Sequence, residues 1–296
     1  MLDKKRLHKR AAFFQAIRFF FQSQGFLEVD TPIRQPLLIP EQNIVPVPSG
    51  THFLQSSPEL YMKRLLAAGC EKIFQVCRCF RYGERGRLHH EEFVMLEWYR
   101  LDADYTDLML DCEGLFCFLQ SEMADCTFPV PLHEPWERMT VAQAFQKYCS
   151  VSPARAIQQN RFDLLLVEEI EPHLGKEKPA FLYDYPLELA SLARPKPGQP
   201  KLAERFELYV SGVELANGFS ELTDPVLQRS RFEEEYAKMD AGSGRPEKMP
   251  ELFLQDLGRI DQAAGIAMGM DRLFMLFLDC DSLGDAVTFS PEELDM

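Results

Sequence analysis

Arg205-Phe-Glu-Leu-Tyr-Val-Ser-Gly-Val-Glu-Leu-Ala-Asn-Gly-Phe-Ser-Glu221 reads as a β-hairpin. Two runs rich in β-branched and aromatic residues, Arg205 to Val210 and Val213 to Phe219, flank Ser211-Gly212, a pair suited to the left-handed conformations of a two-residue turn. Working outward, Ile73 to Arg81 and Phe93 to Leu101 read as a second strand pair, joined by a glycine- and charge-rich loop from Tyr82 to Glu92. Ala264 to Met268 reads as a strand running straight into a helix from Asp271 to Leu278. Helical patterns lie between the pairs. From Lys4 to Gln24, Leu7, Phe13, Phe14, Ile17, Phe20 and Phe21 recur at helical spacing, with Gly25 at the C-cap. Ser57-Pro58-Glu59 opens another helix, closed by Gly69, and Pro225 opens a later one; residues 106 to 123, 140 to 149 and 161 to 173 are also helix-like. Phe26 to Val29 reads as a short strand, Pro36 to Pro48 as irregular chain, and Arg194 to Pro200 as a loop. Strands in hairpins with helices between them predict an α+β fold with a mainly antiparallel sheet. The division expected is one domain over residues 1–296, with a helical insertion near 105–175.

The 296 residues are 46% hydrophobic, enough to bury a sizeable core. Lys and Arg number 32 against 46 Asp and Glu, and the resulting net charge of -14 repels nucleic acid and anionic membrane. An RNA partner would need a local basic patch; Lys4, Lys5, Arg6, Lys9 and Arg10 could form one, or simply a solvated helix face. Eight cysteines occur without a CxxC pair, Cys77 and Cys79 being closest, so no zinc site is expected. With no signal peptide and no apolar run of membrane-spanning length, free thiols point to the cytoplasm.

There is no GxxxxGK[ST], and no GxGxxG between a strand and a helix. Nucleotide phosphates would have to meet side chains. Arg81 at a strand end and Arg272 at the start of the last helix could grip them as guanidinium forks. Glu207 and Glu214, either side of the Ser-Gly turn, could hold Mg²⁺. Glu221, Asn217 and Phe219 continue the same strand, and Glu59, Glu97 and Tyr99 add acids and a phenol; so many carboxylates would suit a substrate with two ammonium groups. Taken singly, such arginines are more often salt-bridge residues and such glutamates more often a solvated face.

Together these segments resemble the catalytic core of class II lysyl-tRNA synthetases over nearly the whole chain. Gly25 to Pro32 is similar to the first class II motif, a dimer-interface element; Phe80-Arg81 with His89 and Glu92-Phe93 to the second; and Gly265 to Arg272 to the third. Ser57 to Arg64, Met95 to Tyr99 and Glu214 to Leu222 resemble lysine-branch signatures. The resemblance implies ATP and Mg²⁺ as cofactors, an antiparallel sheet flanked by helices, and a homodimer. It puts Arg81 on the α-phosphate and substrate carboxylate, Phe93 on adenine and Arg272 on the γ-phosphate, with Glu84, His89 and Gly269 beside the nucleotide. It puts Mg²⁺ on Glu207 and Glu214. Glu221 and Tyr99 would receive the side-chain ammonium, Glu59 and Glu97 the other amino group, and Asn217 the carboxylate, with Ser57, Ala216 and Phe219 lining the same pocket.

Within that family, Ala216 stands where tRNA-charging members have glycine, Ser57 where their bacterial members often have alanine, and the first helix begins too near Met1 to leave room for an anticodon-binding barrel. These features resemble the stand-alone branch that joins (R)-β-lysine to a lysine of elongation factor P, which implies that acceptor and no stable tRNA binding. Two other readings stay open: a free-standing core that acylates tRNA or a tRNA-like RNA, and a degenerate paralogue serving as a binding module. The second motif departs from the family's Arg-x-Glu, since its acid is displaced to Glu84 by Gly83, and His90-Glu91 replace the usual Asn-Pro.

Overall fold

The Ser211-Gly212 turn takes positive φ at both residues, 54° and 78°, as a two-residue hairpin needs. In the computed structural model, which describes residues 1–133, 135–239 and 248–294, that hairpin lies at the centre of a large sheet. In chain order the elements are α1 (Lys4–Ser23), β1 (Leu27–Glu28), β2 (Arg34–Gln35), β3 (Val47–Ser49), β4 (His52–Leu54), α2 (Glu59–Ala67), β5 (Lys72–Phe80), β6 (Glu92–Leu101), α3 (Tyr105–Glu122), β7 (Glu137–Thr140), α4 (Val141–Tyr148), α5 (Pro153–Gln158), α6 (Phe162–Leu165), β8 (Ala180–Pro186), β9 (Pro195–Lys196), β10 (Gln199–Val210), β11 (Val213–Ser220), α7 (Pro225–Lys238), α8 (Glu251–Leu257), β12 (Ala263–Gly269) and α9 (Met270–Phe277).

The sheet runs β1-β5-β6-β12-β11-β10-β8-β7, with β9 paired to β10. Every ladder from β5 to β8 is antiparallel, as the hairpins predict, while β1 and β7 join the edges in parallel. Three local expectations are corrected. Residues 194 to 200 are not a plain loop: Gly198, at φ 76°, turns β9 back into β10. The proline-rich stretch after β1 contributes to a three-stranded sheet, β2-β4-β3, whose strands are too short for an alternating pattern to stand out. The helix expected over 161–173 breaks into α6, one π-turn over Leu166–Ile170 and a 3-10 turn over Glu171–His173, where Pro172 lacks the donor that an α-helix would use.

Alternation along the strands separates two environments. Phe74, Leu96, Trp98, Phe206, Leu208, Ile266 and Met268 pack into the main core with α1, α3 and α9. Their neighbours Gln75, Glu97, Tyr99, Glu207 and Gly265 point to the other face. A second apolar cluster gathers α4, α5 and α6 against β8, and a third joins α2, α7 and α8. Among the described residues no helix is long and apolar enough to cross a membrane.

Arg10 does not belong to a surface patch. It is buried, and its guanidinium donates to the Ala286 carbonyl at 2.9 Å and to Asp271 Oδ1 at 2.5 Å, while Asp271 Oδ2 accepts from the Val94 amide at 2.7 Å. Lys9 pairs with Asp125 at 3.1 Å, leaving Lys4 and Lys5 as the exposed cations of the expected cluster. One buried ion pair thus ties α1 to α9 and β6. Removing one partner of such a pair costs about 3–5 kcal/mol, because the other is left buried and uncompensated. Arg10→Ala should therefore lower the urea midpoint of unfolding strongly, whereas Lys5→Ala should leave it within about 0.5 kcal/mol of the parent.

Candidate active site

The polar face of β6, β10, β11 and β12 forms the floor of a cleft of about 490 Å³. Room for a ligand comes from the small residues of β12. Gly265, Ala267 and Gly269 line the floor, and a Cβ at Gly265 would overlap the Tyr99 ring and Glu221 Oε1.

One end of the cleft is acidic. Ser57 Oγ accepts the Glu59 amide at 3.0 Å and donates to Glu97 Oε1 at 2.6 Å, and the Tyr99 hydroxyl donates to Glu97 Oε2 at 2.8 Å. Ser57 was expected to cap α2; it does accept the Glu59 amide, but Pro58 is the capping residue by position, and the free hydroxyl proton goes to Glu97. Glu221 lies beneath the lining. It is 2% exposed and ion-paired with Lys63, which also holds Glu59. Its Oε1, at the edge of the Gly265 notch, has no hydrogen-bond partner among the described residues. Burial, with the Glu59 charge next in weight, pushes the Glu97 carboxyl up to about 8. Burial also lifts Glu221 to about 8 against the pull of Lys63. Three acids face one buried ammonium, so the pocket lacks positive charge.

The other end is basic. Arg81 follows β5; its guanidinium lies 5.2 Å over the Phe93 ring and 3.8 Å from Glu84, and its buried Nε has no hydrogen-bond partner among the described residues. Gly83, at φ 78°, folds the loop so that the displaced Glu84 returns to the cleft lining. Glu91 staples that loop by accepting from the Gly83 amide at 2.8 Å and from Arg85 at 2.9 Å. Arg272, just past Gly269, donates to the Leu88 and Glu214 carbonyls at 3.1 and 2.8 Å and to His89 Nε2 at 2.7 Å. Burial first, then Arg272, lowers the His89 pKa, which suits an imidazole that accepts.

Between these ends stand Glu207, Glu214, Ala216, Asn217 and Phe219. Glu214 and Asn217 are three residues apart, a spacing that would face them oppositely on a regular strand. A one-residue irregularity between the Glu214↔Tyr209 and Ala216↔Leu208 pairs brings both to the cleft. Glu207 therefore pairs across the ladder with Asn217, not Glu214. Its Oε2 accepts from Tyr185 and Tyr209 at 2.5 and 2.6 Å and its Oε1 from Arg205 at 2.6 Å. Glu214 is raised by burial and then by the Glu207 charge, with Arg272 3.5 Å away. The donor chemistry suits a hard cation: Glu214 meets one guanidinium at long range, and Glu207 Oε1 keeps a lone pair. Among the described residues no cluster of three or more His, Cys, Asp and Glu could hold a metal, so other ligands would have to come from substrate phosphates and water.

The cleft thus gathers fifteen of the sixteen expected residues in its lining, with Glu221 directly beneath. A family model for class II tRNA synthetases (D, K and N) matches residues 3–293. The chain belongs to that family. Among curated relatives, proteins named elongation factor P--(R)-beta-lysine ligase from Salmonella paratyphi B, Salmonella heidelberg and Salmonella enteritidis are each 38% identical, over 96% of this chain and 94% of their own lengths.

In this class II family member four further residues lie in or beside the cleft. Lys63 is placed by its i+4 spacing from Glu59, a signal present in the sequence. Arg205, two residues before Glu207 and hence on the same face, donates to Glu207 and, at 3.3 Å, to Asn217 Oδ1, so the Asn217 amide is turned by a fixed cation. Asp271 anchors the third motif to Arg10. Glu41, on the loop before β3, lines the cleft with no motif to mark it.

The two acids near 8 generate a pH prediction. Burial makes both acids take up a proton more readily than a free carboxylate, and a bound ammonium favours the carboxylate, so binding expels protons. Affinity for a diamino acid should rise as pH climbs from about 6 to about 8.5, and calorimetry in buffers of different ionisation enthalpy should register net proton release near pH 7. A flat profile would contradict the assigned acidic end.

Proposed function

We propose that this class II enzyme uses ATP to activate (R)-β-lysine as an adenylate and transfers it to a lysine side chain of elongation factor P. The observation that carries the reading is the polarity of one cleft, in which Glu59, Glu97 and the orphan Oε1 of Glu221 stand opposite Arg81 and Arg272. The acidic end takes the substrate's ammonium groups. Asn217, turned by Arg205, then presents its amide to the carboxylate, and Arg81 holds that carboxylate against the α-phosphate.

Activation is an in-line displacement. A carboxylate oxygen attacks the α-phosphorus, the bond to the bridging oxygen breaks, and pyrophosphate leaves with its electron pair. Charge developing on phosphate oxygens meets the preorganised guanidinium groups of Arg81 and Arg272. Adenine stacks on Phe93 beneath Arg81. Mg²⁺, held by Glu207 and Glu214, would neutralise triphosphate charge. In the second half-reaction the acceptor amine attacks the activated carbonyl and AMP departs, leaving an amide. The names of the relatives support this acceptor and substrate, and Ala216 supports the β-isomer.

The chain is taken as one catalytic unit acting as a homodimer. Edge strand β1, with Leu27 58% and Ile33 45% exposed around it, offers the contact. Residence in the cytoplasm, where the acceptor is made, completes the reading.

Incubation with ATP, (R)-β-lysine and elongation factor P should add one β-lysyl group to the factor's intact mass; acylation of tRNA instead would favour the tRNA-charging reading, and no pyrophosphate exchange with any amino acid would favour a degenerate module. Arg81→Ala should lose at least 100-fold in pyrophosphate exchange, in the range that removal of one transition-state donor costs, with an unchanged unfolding midpoint. Ala216 is 2% exposed on the irregular turn of β11, and one methyl there discriminates by about 1–3 kcal/mol. Ala216→Gly should therefore move the β- to α-lysine activation ratio at least tenfold toward α-lysine, measured by exchange with each isomer.

A further inference from the structure

Amide formation needs a neutral amine, yet a lysine side chain near neutral pH is an ammonium with a pKa near 10.4. Some group at the cleft must receive its proton. Most carboxylates of the lining are engaged: Glu97 by Ser57 and Tyr99, Glu59 by Lys63, Glu207 by Arg205 and two tyrosines, Glu214 by Arg272, and Glu84 by Arg81 at longer range. Glu41 differs. It is half-buried on the loop before β3, a loop that also brings Asn43 and Ile44 to the cleft. Its carboxylate is subject to neighbouring charges but, among the described residues, to no hydrogen bond, while the adjacent Gln42 amide is fixed by Glu235 on α7 at 3.0 Å.

We propose that Glu41 is the general base of the transfer step, taking a proton from the acceptor's ammonium as its nitrogen approaches the adenylate carbonyl. The inference rests on the two-step reading above and deepens it. Glu41 removes one N–H proton; the nitrogen lone pair forms the C–N bond; the C–O bond to phosphate breaks, and AMP leaves with that electron pair. The nitrogen's second proton passes to the departing phosphate or to solvent, and Glu41 returns its own proton to solvent. The position fits. Glu41 lines the same cleft as Arg81, the residue assigned to the α-phosphate and the reacting carboxylate and the strongest charge acting on Glu41, and it stands on a loop rather than on the sheet floor that the amino acid fills. The charged groups acting on it are Arg81, Glu59, Glu235 and Arg205. Burial outweighs them and lifts the carboxyl to about 7, within the range where a base works at neutral pH. The same carboxylate would also attract the incoming ammonium.

The test separates the base from the binding site and from the choice of acceptor. Adenylate is formed on the enzyme with whichever lysine isomer it activates, then mixed in single turnover with Nα-acetyl-lysine amide, an ammonium, or with hydroxylamine, which is neutral at pH 7 and needs no base. Glu41→Gln should slow transfer to the lysine amide by about 100-fold or more, lose the rate inflection near pH 7, and react with hydroxylamine within a few-fold of the parent. Pyrophosphate exchange should fall no more than a few-fold. Equal losses with both nucleophiles, an equal loss in exchange, or parental transfer to the lysine amide would each overturn the assignment. Absence of exchange in the parent enzyme would instead overturn the functional reading beneath it.

Discussion

The two-residue period of the pleat is the constraint on which the molecule depends. Each central strand must satisfy a dry face and a charged face at once, and it does so by alternation: Leu96 and Trp98 enter the core while Glu97 and Tyr99 enter the cleft, and Phe206 and Leu208 oppose Glu207 and Tyr209. A slip of one residue in any register would bury carboxylates among phenylalanines. The core and the site are therefore the same strands seen from opposite sides, and helices α1, α3 and α9 serve the chemistry by fixing the face that the ligand never meets. The Arg10–Asp271 pair extends this coupling, since the helix that carries Arg272 is anchored through the neighbouring residue.

Charge within the cleft is deliberately incomplete. Burying carboxylates is costly, and burial pushes both Glu97 and Glu221 up to about 8, Glu97 beside Ser57 and Tyr99 and Glu221 against the pull of its partner Lys63. Lys63 supplies one ammonium for three acids, so this end is short of the positive charge that a diamino acid brings. At the opposite end the guanidinium groups are held by carbonyls, by His89 or by loose acids, leaving Arg81 Nε without a hydrogen-bond partner among the described residues. Complementarity to a substrate that is cationic at one end and anionic at the other follows from these two imbalances more than from the shape of the cavity.

The sequence carried the strand pairs, the opening helix and most of the lining, because those features rest on alternation and on side chains whose charge is chemically conspicuous. It carried less where tertiary context decides. The strands β2, β3 and β4 have only two or three residues each, and β9 sits in a stretch whose prolines and glycine suggest a loop. The irregularity in β11 that turns Glu214 to the side of Asn217 has no signature in Glu-Leu-Ala-Asn. Lys63 and Arg205 carry no motif of their own, although their spacing from Glu59 and Glu207 is visible in the sequence. Glu41 lies in irregular chain, where periodicity offers no guide to what a side chain faces.

The central claim is that one ligand spans the cleft from the acids to the guanidinium groups. A crystal structure with a non-hydrolysable sulfamoyl analogue of the β-lysyl adenylate tests it most directly. The account predicts the adenine on Phe93, the sulfamoyl group at Arg81, and the ammonium groups at Glu97 and at Glu221 Oε1 over Gly265. An analogue bound outside this cleft, or bound with its amines turned away from those acids, would contradict it.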